Sequence, residues 1–165
     1  MTTTSTKPTA QPTMTTPTRA AKKTPITPRL VVKDAPRAIA WYVEHLGARD
    51  LVRNTTKDGT IVHAEIEVAG ALVYLVEENR GWHNHAPSSL GGSPVLLAIE
   101  VDDVDGFAAT MVAGGATIIF PIADQFYGER GGRLQDPFGH VWMVSKVIEH
   151  LSPEEMQRRM DAFEG

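Results

Sequence analysis

His63 and Glu65 stand two residues apart in IVHAEIEV, and Tyr74 follows in ALVYLVEE. Alternate side chains on a strand share a face. An imidazole, a carboxylate and a phenol gathered there could grip a ligand or move a proton. The competing reading is structural: His63 and Glu65 satisfy one another, or pair with Arg29 or Arg133. A second histidine pair lies in Trp82-His83-Asn84-His85, with no carboxylate at a fixed spacing. There the indole of Trp82 is the more useful group, as a flat wall for a planar ligand. His140 leaves the turn Asp136-Pro137-Phe138-Gly139 and opens an apolar run, HVWMV. It could be a ligand or a base at a rim, or only the polar residue that leaves a hairpin turn. Tyr127, Glu129, Arg130 and Arg133 precede that hairpin and could hydrogen-bond a ligand or hold their loop. No nucleophile elbow, phosphate loop or dinucleotide fingerprint occurs.

The chain of 165 residues, 42% of them hydrophobic, can bury one sizeable core. It contains no cysteine, which excludes a disulfide framework, a thiolate metal site and a cysteine nucleophile. This composition fits a reducing cytoplasm. No apolar run approaches the roughly 20 residues of a membrane span, so no membrane partner is expected. Residues 1–25 carry Lys7, Arg19, Lys22 and Lys23 without an acid, leaving a net charge of −8 on the remainder. An acidic body without a basic stripe argues against nucleic acid. The first 25 residues are mostly Thr, Pro, Ala and Lys and are expected to be disordered. They lack the apolar stretch of a signal peptide.

From Ile26 onward the chain is punctuated twice in the same way. ITPRLVV predicts a strand. Asp34 caps a helix that has Pro36 in its first turn and Gly47 as its stop, and 48–55, 60–68 and 71–78 predict three further strands. The order returns as a strand over 94–101, a helix capped by Asp102 or Asp103 and ended by Gly114-Gly115, and strands in ATIIFPI, GGRLQD and HVWMVSKV. Asp34 and Asp102 stand 68 residues apart, as do Gly47 and Gly115. Equal spacing of starts and stops is the trace of a duplication. The expected fold is therefore α+β: two βαβββ modules, about 26–78 and 94–148, curling into a cup. Residues 79–93 form the linker, a lid over the cup's mouth. Residues 152–163 form a terminal helix with a Ser152–Glu155 capping box.

The tight turn at Ala69-Gly70 sets the register, pairing Glu65 with Tyr74 and His63 with Val76. One face then carries His63, Glu65, Glu67, Leu72, Tyr74 and Val76. The other carries only Ala64, Ile66, Val68, Val73 and Leu75, and must meet the helices. Glu100, at the parity of Leu96, would add a carboxylate inside the cup.

The duplicated module, the segment YGERGGRLQDPFGHVW and the trailing SPEEMQRR resemble the vicinal oxygen chelate superfamily over about residues 26–160. This is the glyoxalase, bleomycin-resistance and dihydroxybiphenyl dioxygenase fold, and the likeness points to its PhnB-like branch. In metal-dependent members four His or Glu ligands polarise substrate oxygens. The resemblance carries those positions onto Thr27, Tyr74, Leu96 and Met143, none an adequate ligand for a divalent ion. It implies no metal and no cofactor, and a homodimer that completes the cup. The expected function is metal-independent binding of a small, partly aromatic or cationic ligand, as in bleomycin-resistance-like sequestration. Arg29, His63, Glu65, Tyr74, Trp82, Leu96, Glu100, Tyr127, Arg133 and Met143 are the expected ligand contacts. The alternative is a glyoxalase-like lyase or isomerase, or a dioxygenase, with a displaced metal site using His63 and Glu65 as its catalytic groups.

Overall fold

A computed structural model describes residues 25–163 of the chain. The expectation for the Thr- and Pro-rich tail falls, apart from Pro25, outside the described residues. The first module runs β1 (Arg29–Val32), α1 (Ala35–Leu46), β2 (Arg49–Thr55), β3 (Ile61–Val68) and β4 (Ala71–Glu77). A linker with a single 3-10 turn (Arg80–Trp82) and a short helix, α2 (Pro87–Leu90), leads to the second module. That module is β5 (Leu96–Glu100), α3 (Val104–Ala113), β6 (Thr117–Asp124), β7 (Glu129–Gln135) and β8 (Val141–Val147), followed by α4 (Pro153–Phe163). Each module forms one four-stranded sheet, ordered β1-β4-β3-β2 and β5-β8-β7-β6. The duplicated α+β architecture of two open, cup-like sheets is thus present.

The local signals act where the sequence places them. The Asp34 carboxylate accepts from the Arg37 amide at 3.0 Å, and Gly47 closes α1 in the left-handed region at φ 63°. Of the two candidate caps for α3, Asp103 is the one used, accepting from the Gly106 amide at 2.9 Å. The strand bounds differ in two instructive places. β1 begins at Arg29 rather than Ile26, because Pro25 and Pro28 have no amide proton to give a ladder. β7 begins at Glu129, before the glycine pair, because Glu129 and Arg130 pair with Val147 and Lys146. The terminal capping box is half formed. The Glu155 amide donates to Ser152 Oγ at 3.2 Å, but the Glu155 carboxylate turns to Arg158 and Arg159. Those guanidinium donors hold its carboxyl down to about 2.

α1 packs on β2, β3 and β4, α3 packs on β6, β7 and β8, and the two helices touch each other. The buried residues of both modules form one core, in which Ile39, Tyr42, Ile66, Leu75, Met111 and Val144 are fully enclosed. At its centre lies Asp136, a buried carboxylate with four donors. One oxygen accepts from Tyr42 Oη at 2.7 Å and Trp142 Nε1 at 2.9 Å. The other accepts from the amides of Phe138 and His140, each at 2.9 Å. A buried charge is tolerated when its lone pairs are filled in this way. The residue joins α1, the β7–β8 turn and β8, and so ties the first module to the second. Burial chiefly, then the nearby Asp136 charge and its hydrogen bond, pushes the Tyr42 phenol well above its ordinary range.

His85, Pro87, Leu90 and Val95 lie over the seam between β1 and β5, where they and His140 line a cleft of about 260 Å³. Among the described residues no helix is long and apolar enough to cross a membrane.

Candidate functional site

Strand parity sends Ala64, Ile66, Val68, Val73 and Leu75 to the core, all of them buried. His63, Glu65 and Tyr74 therefore share the opposite, open face of the first sheet. The Ala69-Gly70 turn places Glu65 against Tyr74, as expected, and Tyr74 in turn pairs with Arg29 of β1. His63 Nε2 lies 2.9 Å from Glu65 Oε1, and its Nδ1 lies 3.2 Å from Arg29 Nη2. Arginine offers only donors, so Nδ1 must accept and Nε2–H then donates to Glu65. The imidazole bridges a cation and a carboxylate, and the Tyr74 ring packs against it with centroids 4.9 Å apart. Farther along the face, Glu67 is paired with Arg49 at 2.8 Å. This face is polar and internally satisfied.

The second sheet presents the same positions with different residues. Its open face carries the row Ala98, Met143, Arg133 and Phe120, adjacent on β5, β8, β7 and β6. Gly131 and Ser145 form the next row, with Glu100 beyond. Met143, Arg133 and Phe120 line a cleft of about 360 Å³ with Tyr127 and Phe163. The far wall is built by α4, whose Phe163 ring stacks on Phe126 at 4.6 Å. Arg159 anchors that helix by donating to the Phe126 carbonyl at 3.1 Å and to Glu149 at 2.8 and 2.9 Å. The Arg133 guanidinium lies over the Phe120 ring, 4.9 Å from its centroid.

The expected ligand contacts thus divide into separate groups. Arg29, His63, Glu65 and Tyr74 meet on the first sheet, and Tyr127, Arg133 and Met143 meet in the second sheet's cleft. Leu96 lines a groove between the modules with Thr27 and Trp142. Glu100 lies apart, beside Ala69 and Asp102. Trp82 is 61% exposed on the linker. His140 is buried, with Nε2 3.1 Å from the Val31 carbonyl, and faces neither sheet's open side. Burial of the ring lowers its pKa, against the opposing pull of the Asp136 charge and the Val31 hydrogen bond. The sequence reading missed Phe120 and Phe163. Two register shifts between β6 and β7 obscure the parity of Phe120, and only a tertiary contact brings Phe163 to the cleft. Asp136 was visible only as a turn residue.

The model of the Glyoxalase/Bleomycin resistance protein/Dioxygenase superfamily matches residues 24–144. The chain belongs to this superfamily. An uncharacterized Mycobacterium bovis protein, Mb0911c, is 36% identical over 140 residues, spanning 83% of this chain and 92% of the relative. Among solved structures, TioX from Micromonospora sp. ML1 aligns with a TM-score of 0.59 at 27% identity, over 74% of this chain and 97% of its own. The fosfomycin resistance protein FosX from Listeria monocytogenes, complexed with Mn(II) and sulfate, has the same fold. It aligns with a TM-score of 0.59 at 15% identity, over 85% of this chain and 99% of its own.

The metal positions of the superfamily can be tested on this chain directly. Thr27 and Leu96 line the intermodule groove, Tyr74 abuts His63, and Met143 lies in the second cleft. A hydroxyl, an alkyl group, a phenol and a thioether do not fit a divalent ion that seeks imidazole or carboxylate. Among the described residues no three of His, Cys, Asp and Glu gather closely enough to hold an ion.

Proposed function

We propose that this superfamily member binds a small, partly aromatic molecule without a metal, as a sequestering protein of the bleomycin-resistance type. The observation that carries the reading is the contrast between the unsuitable ligand positions and the cleft bounded by Phe120, Tyr127, Met143 and Phe163. Aromatic walls favour a planar guest through stacking and burial of its faces. Of the two guest classes the sequence allows, aromatic and cationic, this cleft favours the first. Of the acids the sequence offers for a cation, Glu65 is engaged with His63 and Glu67 with Arg49, and Glu100 lies outside this cleft. Within the superfamily, DPFGHVW and SPEEM support a place in the PhnB-like branch. A cysteine-free composition supports action in the cytoplasm.

The open faces of both sheets support a homodimer in which a second copy completes the cup. Leu51 and Val52 on β2, and Ile118, Ile119 and Phe120 on β6, are exposed in the single chain. Such apolar surface on outer strands suits burial against another copy.

Metal analysis with a thermal-shift screen of small aromatics and antibiotics tests the proposal. Stabilisation by an aromatic compound in metal-free protein supports it, since a guest of the native state raises its stability. One tightly held ion per chain would overturn it in favour of a metalloenzyme. A second reading has its own observation, the Arg29–His63–Glu65 bridge beside Tyr74. That bridge could move a proton in a lyase or isomerase reaction, with Glu65 as base and His63 as its relay. Turnover abolished by Glu65→Gln would establish it.

A further inference from the structure

Arg133 is the cation in the lining of the second cleft, which also holds the Glu129 carboxylate, and its surroundings leave it incomplete. Its Nε atom is sealed from solvent and has no hydrogen-bond partner, and its two Nη groups, which are not sealed, make no ion pair among the described residues. Arg130, three residues earlier, is paired with Asp105 at 2.7 Å and Asp124 at 2.8 Å on the other side of the strand. Arg133 makes no such pair among the described residues. Glu129 lines the same cleft and shares its parity on β7, but the two form no ion pair among the described residues. The flat side of the guanidinium is taken by Phe120, which leaves its edge as the binding surface. That edge is a row of N–H donors spaced to meet a carboxylate with two parallel bonds.

The sealed Nε costs stability with or without a guest, whereas the Nη donors can gain a charge-assisted pair when an acceptor arrives. The acceptor must reach a cationic edge between Met143 and Phe120 while the rest of its molecule lies against Tyr127 and Phe163. Resting on the reading of this cleft as the ligand site, we infer that the guest is a planar aromatic acid: a ring system bearing a carboxylate. The Arg133 edge takes the carboxylate and the aromatic walls take the ring. Arg133 is thus the residue that sets the charge preference of the site. The corresponding position on the first sheet, opposite Tyr74 instead of Met143, is Glu65, so the preference belongs to the second module alone.

Isothermal titration of the metal-free full chain with 2-naphthoate, 2-naphthamide and 2-naphthylmethylammonium separates the elements of this inference. The three probes share a ring and differ in charge. The naphthoate is expected to bind about tenfold or more tighter than the amide, with the ammonium weakest, the margin of one charge-assisted pair. Arg133→Met removes that margin and Arg133→Lys retains part of it. Phe163→Ala weakens all three probes alike. Arg133→Met should also unfold at or above the temperature of the unaltered protein, because an unpaired buried donor is gone. A clear fall in that temperature would assign Arg133 a structural role and overturn the inference. Equal affinities, or tightest binding of the ammonium, would overturn the acid preference while leaving the cleft as a binding site. Should a preference for the acid survive in Arg133→Met and Arg133→Lys alike, the carboxylate is held elsewhere and the inference fails. Binding by none of the probes at millimolar concentration would remove both the inference and the cleft reading beneath it.

Discussion

The two sheets are built on one plan and have divided its uses. The first sheet fills its open face with Arg29, His63 and Glu65, which hydrogen-bond in series, and with Tyr74, whose ring packs on that of His63. In the second sheet the register puts Ala98 where the first has Arg29, Met143 where it has Tyr74, and Arg133 where it has Glu65. Gly131 takes the place of His63. Replacing a bridging imidazole by a hydrogen atom, and a phenol by a thioether, opens space and leaves a guanidinium unanswered. A satisfied face resists solvent and holds shape, whereas a face with room and an unpaired donor can receive a guest. The duplication therefore supplies two equivalent surfaces, and side-chain volume and charge decide which becomes a cleft.

The hairpins that end the two modules differ as strongly. β3 and β4 are joined by Ala69-Gly70, which has no side chain to anchor it. β7 and β8 are joined through Asp136, whose carboxylate fixes the turn to α1 and β8. Asp136→Ala leaves the Tyr42 hydroxyl, the Trp142 indole and two amides without their acceptor. The expected loss is about 3–5 kcal/mol, the usual cost of breaking a buried charged network. Urea unfolding of the metal-free protein measures it. A loss below about 1 kcal/mol would show that the carboxylate does not join the modules.

The contrast between the faces can be tested at Gly131. A Cβ there would stand 2.7 Å from Ser145 Cβ and 2.7 Å from the Val144 carbonyl, which belongs to the backbone and cannot swing away. Gly131→Ala should cost about 1–3 kcal/mol through overpacking and raise the cleft floor, so that aromatic probes bind more weakly. Calorimetry and urea unfolding report the two effects separately. Normal stability with normal probe binding would mean that the missing side chain does not make the cleft.

Much of this division was legible in the sequence. The caps Asp34 and Asp103, the stops at Gly47 and Gly114, and the two-residue turn are local signals, and they fixed the elements and the His63–Glu65–Tyr74 grouping. Asp136 was not legible as a hub, because an aspartate before Pro-Phe-Gly satisfies the turn's own amides in any hairpin. Its bonds to Tyr42 and Trp142 depend on how α1 packs. The cleft was legible only in Tyr127, on the turn before β7, and in the strand residues Glu129, Arg133 and Met143. Phe120 was hidden by the irregular β6–β7 register, and Phe163 by a helix whose docking rests on Arg159.

His140 separates the modules by pH. It lies where the second module's turn meets β1, beside the Asp136 carboxylate, with Arg29 and His85 lining the adjoining cleft. Burial lowers its folded pKa below the ordinary value of 6.5, so the unfolded chain binds its proton first as pH falls. Stability therefore rises with pH across the window between the folded pKa and about 6.5, and levels off above it. Thermal unfolding from pH 7.5 to 5 should show this decline, and His140→Gln should flatten it. An unchanged profile in the variant would assign the acid sensitivity to other groups.

The smallest effect concerns the unanchored turn. Ala69 is held at φ 46° and Gly70 at φ 82°, both in the left-handed region that a two-residue hairpin of this kind requires. Gly70 adopts it freely, but Ala69 does so against contact between its Cβ and the backbone. Asparagine tolerates the conformation better than alanine, so Ala69→Asn should stabilise the protein by about 0.5–1 kcal/mol, read as a higher urea midpoint at unchanged slope. The second module's turn offers no such gain. Gly139 stands at φ 92°, and a Cβ there would meet Pro87 of the linker at 2.8 Å, so Gly139→Asn should destabilise. Opposite signs at the two turns would show that one module's hairpin is bound only by backbone geometry while the other's is locked into its surroundings. Equal signs would remove that distinction.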